Sequence, residues 1–168
     1  MDVIDNFLSE HEFNEIEFMM MGHAFEWYYS DGQNYEHEDD LFMFNHLFHK
    51  PGTKFGDQYI GSAKNSCHYH LIEPCLKKFG SKDVRRIKAN LTPRQSDPVC
   101  SGFHIDYSNI TTAIYYLNTN NGYTEFGTGE KVESVANRAV IFDSNLEHQG
   151  VGCTDQKRRV VINFNYGC

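Results

Sequence analysis

The chain has 168 residues, 40% of them hydrophobic, and a formal net charge of −8. That length supports one cored domain and leaves little for a second, so a single domain over 1–168 is predicted, with 1–80 as helix-rich support and 83–168 as a strand-rich core. The acidic balance argues against nucleic-acid backbones and anionic membranes, which attract cationic surfaces, and points to neutral or basic partners.

The opening Met1-Asp2-Val3-Ile4-Asp5 lacks the basic and apolar regions of a secretory signal, and no run reaches the roughly 18 apolar residues of a membrane span. A soluble, cytoplasmic protein is expected. Cys67, Cys75, Cys100, Cys153 and Cys168 are irregularly spaced with no C-x-x-C pair, so reduced thiols are expected rather than a disulfide framework or a zinc knuckle.

In chain order, Ser9 followed by Glu12 forms a capping-box pattern, and Phe13, Ile16, Met20, Ala24 and Trp27 recur at helical spacing, which predicts a helix over 9–29. Residues 30–57 carry an acidic cluster at Glu36, Glu38, Asp39 and Asp40 and the run Leu41-Phe42-Met43-Phe44; their periodicity does not select an element. A second helix is predicted over 62–79, with Leu71, Cys75 and Phe79 on one face, a kink at Pro74 and a stop at Gly80. From Asp83 onward short alternating segments predict strands at Arg85–Leu91, Phe103–Asp106, Thr111–Leu117, Tyr123–Phe126, Val132–Ala136, Ala139–Phe142, Glu147–Val151 and Arg159–Tyr166. Eight strands at this spacing imply a mainly β fold, a sandwich or barrel, with the two N-terminal helices covering one sheet.

The chemistry concentrates in His104-Ile105-Asp106 and in His148. On a strand, residues two apart share a face, so His104 and Asp106 can chelate one ion while Ile105 packs away from it. His148 sits after the apolar strand Ala139-Val140-Ile141-Phe142, where a neighbouring strand can bring it to the same place. Two imidazoles and one carboxylate occupy one face of Fe(II) and leave three positions for an oxidisable co-substrate and O2. A keto-diacid co-substrate would also need a fixed cation for its far carboxylate, for which a guanidinium offers bidentate bonding. Arg158 and Arg159 are both candidates. Val160, Ile162, Phe164 and Tyr166 form an apolar stripe, leaving Arg159, Val161 and Asn163 on the more polar face, so strand parity favours Arg159.

Other histidines compete less well. His68 and His70 fall in a predicted helix, where residues two apart diverge around the axis, and His46 and His49, at helical spacing in an aromatic segment, read as packing. Glu125 and Glu147 read as exposed strand charges, and the acidic cluster as a solvated face that could also attract a basic peptide.

With these residues the chain resembles the Fe(II)- and 2-oxoglutarate-dependent oxygenases, and within them the prolyl 4-hydroxylase-like branch. Thr112-Ala113-Ile114-Tyr115-Tyr116-Leu117-Asn118 is similar to the strand after the H-x-D motif in prolyl hydroxylases. Gly122-Tyr123-Thr124-Glu125-Phe126 is similar to that family's glycine turn, and Asn137-Arg138-Ala139-Val140-Ile141-Phe142 to the strand leading to its distal histidine; Val3-Ile4-Asp5-Asn6-Phe7-Leu8-Ser9 is like its usual opening. The chain departs from the pattern at Ser101, where relatives often have tyrosine, and at Thr92-Pro93, where they have tyrosine-proline.

The resemblance implies a double-stranded β-helix of jelly-roll or cupin type, with helices packed on its major sheet. It implies Fe(II) on His104, Asp106 and His148, and 2-oxoglutarate held by Arg159 and Tyr116, with Asn163 at a polar position facing the co-substrate. It further implies consumption of O2, ascorbate as a stimulant, and hydroxylation of a C–H bond in a peptide or small molecule, with peptidyl proline the first guess. Two rival readings share the fold: a non-catalytic jelly-roll binding module and another metal-dependent cupin-type enzyme. Neither accounts for Arg159.

Overall fold

The structure, a computed structural model, describes residues 1–31, 42–50, 52–55, 58–60 and 64–167, the backbone alone over 53–55 and 58–60. The acidic cluster Glu36, Glu38, Asp39 and Asp40 lies outside the described residues. The described elements run β1 (Asp2–Ile4), α1 (Glu10–Met21), β2 (Tyr28–Ser30), β3 (Met43–Lys50), β4 (Thr53–Phe55), β5 (Gln58–Ile60) and β6 (Lys64–Asn65). A 3-10 turn (Tyr69–Ile72) and α2 (Glu73–Phe79) follow, then β7 (Asp83–Pro93), β8 (Thr111–Tyr116), β9 (Tyr123–Phe126), β10 (Lys131–Glu133), β11 (Arg138–Asp143), β12 (His148–Val151) and β13 (Arg158–Gly167).

The strands form a major sheet ordered β1-β11-β8-β13-β7-β3-β2, with β6 beside β3, and a minor sheet ordered β10-β9-β12; β4 and β5 pair as a hairpin. Every strand pair is antiparallel. Two apolar layers follow from the period-two alternation of the shared strands. On one side Tyr115 of β8 and Val160, Ile162 and Phe164 of β13 pack under Ile16 and Met20 of α1 and Cys75 of α2. On the other, Ile114, Tyr116 and Val161 meet Phe126 and Val132 of the minor sheet. This is a double-stranded β-helix with helices on its major sheet.

Several expectations need correction. The first helix keeps its capping box, with Ser9 N donating to Glu12 Oε2 at 3.1 Å and Glu12 N donating to Ser9 Oγ at 3.4 Å, but ends at Met21 rather than 29. A side chain at Gly22 would meet the Phe18 carbonyl oxygen at 2.8 Å, and from Tyr28 the chain is already extended. The second helix is shorter too: Lys64–Asn65 is strand, and Pro74 stands in the first turn of α2, where its missing N–H costs nothing, rather than kinking its middle. Gly80 caps it at φ 65°, as read from the sequence. The segment 1–80 is therefore less helical than predicted, because β3 extends the major sheet beside β7 over Phe44–His49. Phe103–Asp106 is no regular strand; only His104 is bridged, to His148. Cys67, Cys75, Cys100 and Cys153 are free thiols. Among the described residues no helix is long and apolar enough to cross a membrane.

Asn137 locks the N-terminus to this scaffold. At φ 61° it adopts a left-handed turn that asparagine tolerates, and its Oδ1 accepts from Leu8 N at 2.8 Å and from Tyr115 Oη at 2.9 Å, while its Nδ2 donates to the Leu8 carbonyl at 3.0 Å. Asn137→Ala removes all three bonds in a buried place. It is expected to lower unfolding free energy by about 2–4 kcal/mol, seen as a lower urea midpoint at unchanged slope.

Candidate metal and co-substrate site

A cavity of about 490 Å³ opens between the sheets. His104, Asp106 and His148 line it together, with one ligand-type atom from each within 4.8 Å of the others. The backbone creates this meeting. His104 N donates to the His148 carbonyl at 3.0 Å and His148 N to the His104 carbonyl at 3.0 Å, so the two residues stand directly opposite and their rings lie 4.8 Å apart. His104 Nδ1 lies 3.0 Å from the Gly102 carbonyl oxygen and His148 Nδ1 lies 3.2 Å from that of Leu146. A carbonyl can only accept, so each ring carries its proton on Nδ1 and turns the Nε2 lone pair outward, the tautomer a metal ligand needs.

Asp106 is held from two sides. Arg86 Nη2 approaches Oδ1 at 2.7 Å and Asn165 Nδ2 donates to Oδ2 at 3.1 Å, while His104 Nε2 lies 3.8 Å from Oδ1. Burial alone would raise its carboxyl pKa, but Arg86, His148 and the Asn165 bond outweigh it and the net shift is downward, so the group stays ionised. Burial, aided by His104 and opposed by Asp106, lowers the pKa of His148 and favours the neutral imidazole. This donor set fits a divalent first-row metal. The tripeptide works differently from the expectation in one respect: Ile105 is 45% exposed at the cavity mouth rather than packed away, because the segment is not a strand.

Arg159 lies at the far end, on the face that parity selected, and is 5% exposed. Its Nε donates to Ser134 Oγ at 2.9 Å, and its Nη2 to the Tyr123 carbonyl at 3.3 Å and to Thr124 Oγ1 at 3.2 Å. Among the described residues no carboxylate pairs with it, and burial lowers its pKa. Arg158 points elsewhere, donating to the Met21 carbonyl at 2.6 Å. Tyr116 is wholly buried between the sheets, its ring 5.7 Å from the Arg159 guanidinium carbon and its hydroxyl donating to Thr124 Oγ1 at 2.8 Å. Thr124 thus accepts from both and keeps its own hydroxyl proton for the cavity. Asn163 also lines the cavity, and its buried Oδ1 has no partner among the described residues.

The competing histidines stay apart from this site. His46 is bonded through Nδ1 to the Glu26 carbonyl at 2.8 Å and through Nε2 to Ser66 Oγ at 3.0 Å, and His49 takes Asn65. Both stand on β3 rather than on a helix. His68 pairs with Glu26 at 3.0 Å, and His70 with the Cys67 carbonyl. Sequence reasoning missed Arg86, Lys88, Asn90, Thr124 and Asn165. The alternation in β7 carried a signal for three of them, since Arg86, Lys88, Asn90 and Thr92 alternate with apolar Ile87, Ala89 and Leu91.

No protein-family profile and no curated protein sequence matches the chain. Solved structures do. A 2OG-Fe(II) oxygenase family oxidoreductase from Burkholderia pseudomallei superposes with a TM-score of 0.70 at 11% identity, covering 98% of this chain and 84% of that one. A Pseudomonas putida prolyl-4-hydroxylase does so at 0.61 and 16% identity, covering 99% and 92%. The fold is that of the 2-oxoglutarate- and Fe(II)-dependent oxygenases. A Trichoplax adhaerens prolyl hydroxylase, solved with a hypoxia inducible factor peptide fragment, follows at 0.57 and 18%, covering 99% and 82%.

Two glycines pack near the Arg159 side chain with different tolerances. A Cβ at Gly122 would lie 2.7 Å from Arg159 Cδ and 2.7 Å from the Val151 carbonyl oxygen, whereas one at Gly150 would meet Arg159 Nη1 at an ordinary 3.6 Å. Gly122→Ala is therefore expected to cost about 1–3 kcal/mol in urea unfolding and Gly150→Ala less than about 1 kcal/mol.

Proposed function

We propose that this protein is an Fe(II)- and 2-oxoglutarate-dependent dioxygenase. In this reading His104, Asp106 and His148 hold the metal, and Arg159, backed by Tyr116 and Thr124, receives the distal carboxylate of 2-oxoglutarate. The observation that carries it is Arg159: a buried guanidinium without an anionic partner among the described residues, facing the cavity that two imidazoles and a carboxylate also line. An unpaired buried cation is costly, and a bound carboxylate removes that cost. Asn163 lends its Nδ2 amide to the co-substrate, because a carboxylate can only accept, and this leaves its Oδ1 open to another donor. A binding module without a small diacid, or a cupin-type enzyme without one, leaves that cation unexplained.

The metal and co-substrate, when bound, supply the oxidation: one atom of O2 enters the substrate C–H bond and the other enters succinate as CO2 leaves. The protein's own residues position and shield. Asn165 and Arg86 fix the ligand carboxylate, the Gly102 and Leu146 carbonyls fix the imidazole tautomers, and Phe126 and Phe142 close the side of His148 away from the mouth. Carbon hydroxylation is the proposed outcome, with peptidyl proline the first substrate to test in view of the prolyl hydroxylases of similar fold.

The deciding assay is succinate formation from 2-oxoglutarate under Fe(II) and air, with and without ascorbate. Asp106→Ala is expected to lose tight metal binding, measured by Mn(II) titration. Arg159→Ala is expected to keep the metal while raising the KM for 2-oxoglutarate by about tenfold or more, the value of a charged hydrogen bond. Wild-type turnover in both variants would refute the assignment.

A further inference from the structure

The cavity contradicts the charge of the chain. The protein carries −8 overall, yet among the described residues the cavity lining holds Arg86, Lys88 and Arg159 against a single acid, Asp106. Arg86 is spent on Asp106 at 2.7 Å. Arg159 serves the co-substrate's distal carboxylate in the reading above. With a ferrous ion and a dianionic co-substrate bound, the described lining still carries two positive charges in excess, and of its three side-chain cations Lys88 is the one without an assigned partner. It stands on β7 directly opposite Asn163 of β13, and Asn90 follows it on the same face. Lys88 makes no hydrogen bond or ion pair with any described residue, while the buried Oδ1 atoms of Asn90 and Asn163 have no partner either. Two buried acceptors without partners are costly, and beside them the half-buried Lys88 amine is open to a ligand's anionic group.

The patch also sits at a useful distance. Arg86, the cation that grips Asp106, is one same-face step from Lys88, about 7 Å along the strand. A group held at Lys88 thus leaves the neighbouring atoms of a short molecule beside the residues assigned to the metal. Burial and nearby Arg86 lower the Lys88 pKa, with Asp106 opposing, which is the behaviour of an amine lacking its counter-ion.

We propose that this cavity takes a carboxylate-bearing substrate, whose anionic group Lys88 receives while the side-chain oxygens of Asn90 and Asn163 accept its N–H or O–H donors. This rests on the oxygenase reading of the same site. The carboxylate can belong to a free amino or hydroxy acid, or to the end or a side chain of a peptide; the cavity charge argues against a basic peptide.

The test compares matched probes: the free L-amino acids, their α-carboxamides, and N-acetylated proline peptides ending in carboxylate or in amide. Binding is measured by calorimetry without oxygen, with Mn(II) and 2-oxoglutarate present, and succinate release is measured separately under Fe(II) in air. Carboxylates of at least one set should bind about ten- to a hundredfold tighter than their amides. Lys88→Met should erase that ratio and Lys88→Arg should retain it. The set that shows the ratio identifies the source of the carboxylate. Amides equal to acids, a ratio that survives Lys88→Met, or no binding by any carboxylate would overturn the proposal. Absence of succinate from the wild type in every arm would instead overturn the oxygenase reading, while the calorimetric ratio still judges Lys88.

Discussion

One strand has to satisfy two environments at once. β13 runs through the middle of the major sheet between β8 and β7, with helices over one face and the cavity under the other. Its even-numbered side chains from Val160 to Phe164 are buried in the helix-covered core, and Arg159, Val161 and Asn163 face the cavity. Because the side-chain period of a strand is two, a slip of one residue would send the guanidinium into the core and an isoleucine into the cavity. The register against Tyr115, Tyr116 and Asn90 is thus what places both ends of the site.

The metal end of the site joins the irregular 103–106 segment to the start of β12, both tied to that frame. His104 and His148 face one another through a pair of backbone hydrogen bonds, and Asn165, on β13, reaches across to Asp106, Arg86 and Thr112. The ligand carboxylate is therefore positioned by the central strand, although it sits in a segment with no regular strand of its own. Removing the Asn165 amide would leave a buried carboxylate with Arg86 as its remaining strong partner, and Arg86 would itself lose the Asn165 Oδ1 that accepts from its Nε at 3.2 Å.

Charge distribution separates the surface from the site. An acidic chain encloses a cavity that, among the described residues, is lined by three side-chain cations and one acid. Global charge speaks to solubility and long-range encounter, whereas a low-dielectric pocket responds to the few groups that line it. An expectation about partners drawn from net charge therefore does not extend to what the cavity takes.

The sequence by itself determined the periodic parts: the capping box at Ser9, the cap at Gly80, most strand positions after Asp83, and the strand parity that turns Arg159 toward the cavity. Each is written in local spacing, period two or a capping pattern, which one chain segment carries alone. The tertiary structure decided the rest. Residues 43–50 became a strand because the edge of β7 offered hydrogen-bond partners that no local pattern announces, and residues 28–30 then paired along β3. The roles of Arg86, Asn165, Thr124 and Lys88 depend on which strands lie side by side, and strand order is a property of long-range pairing, with contacts that no sequence window contains.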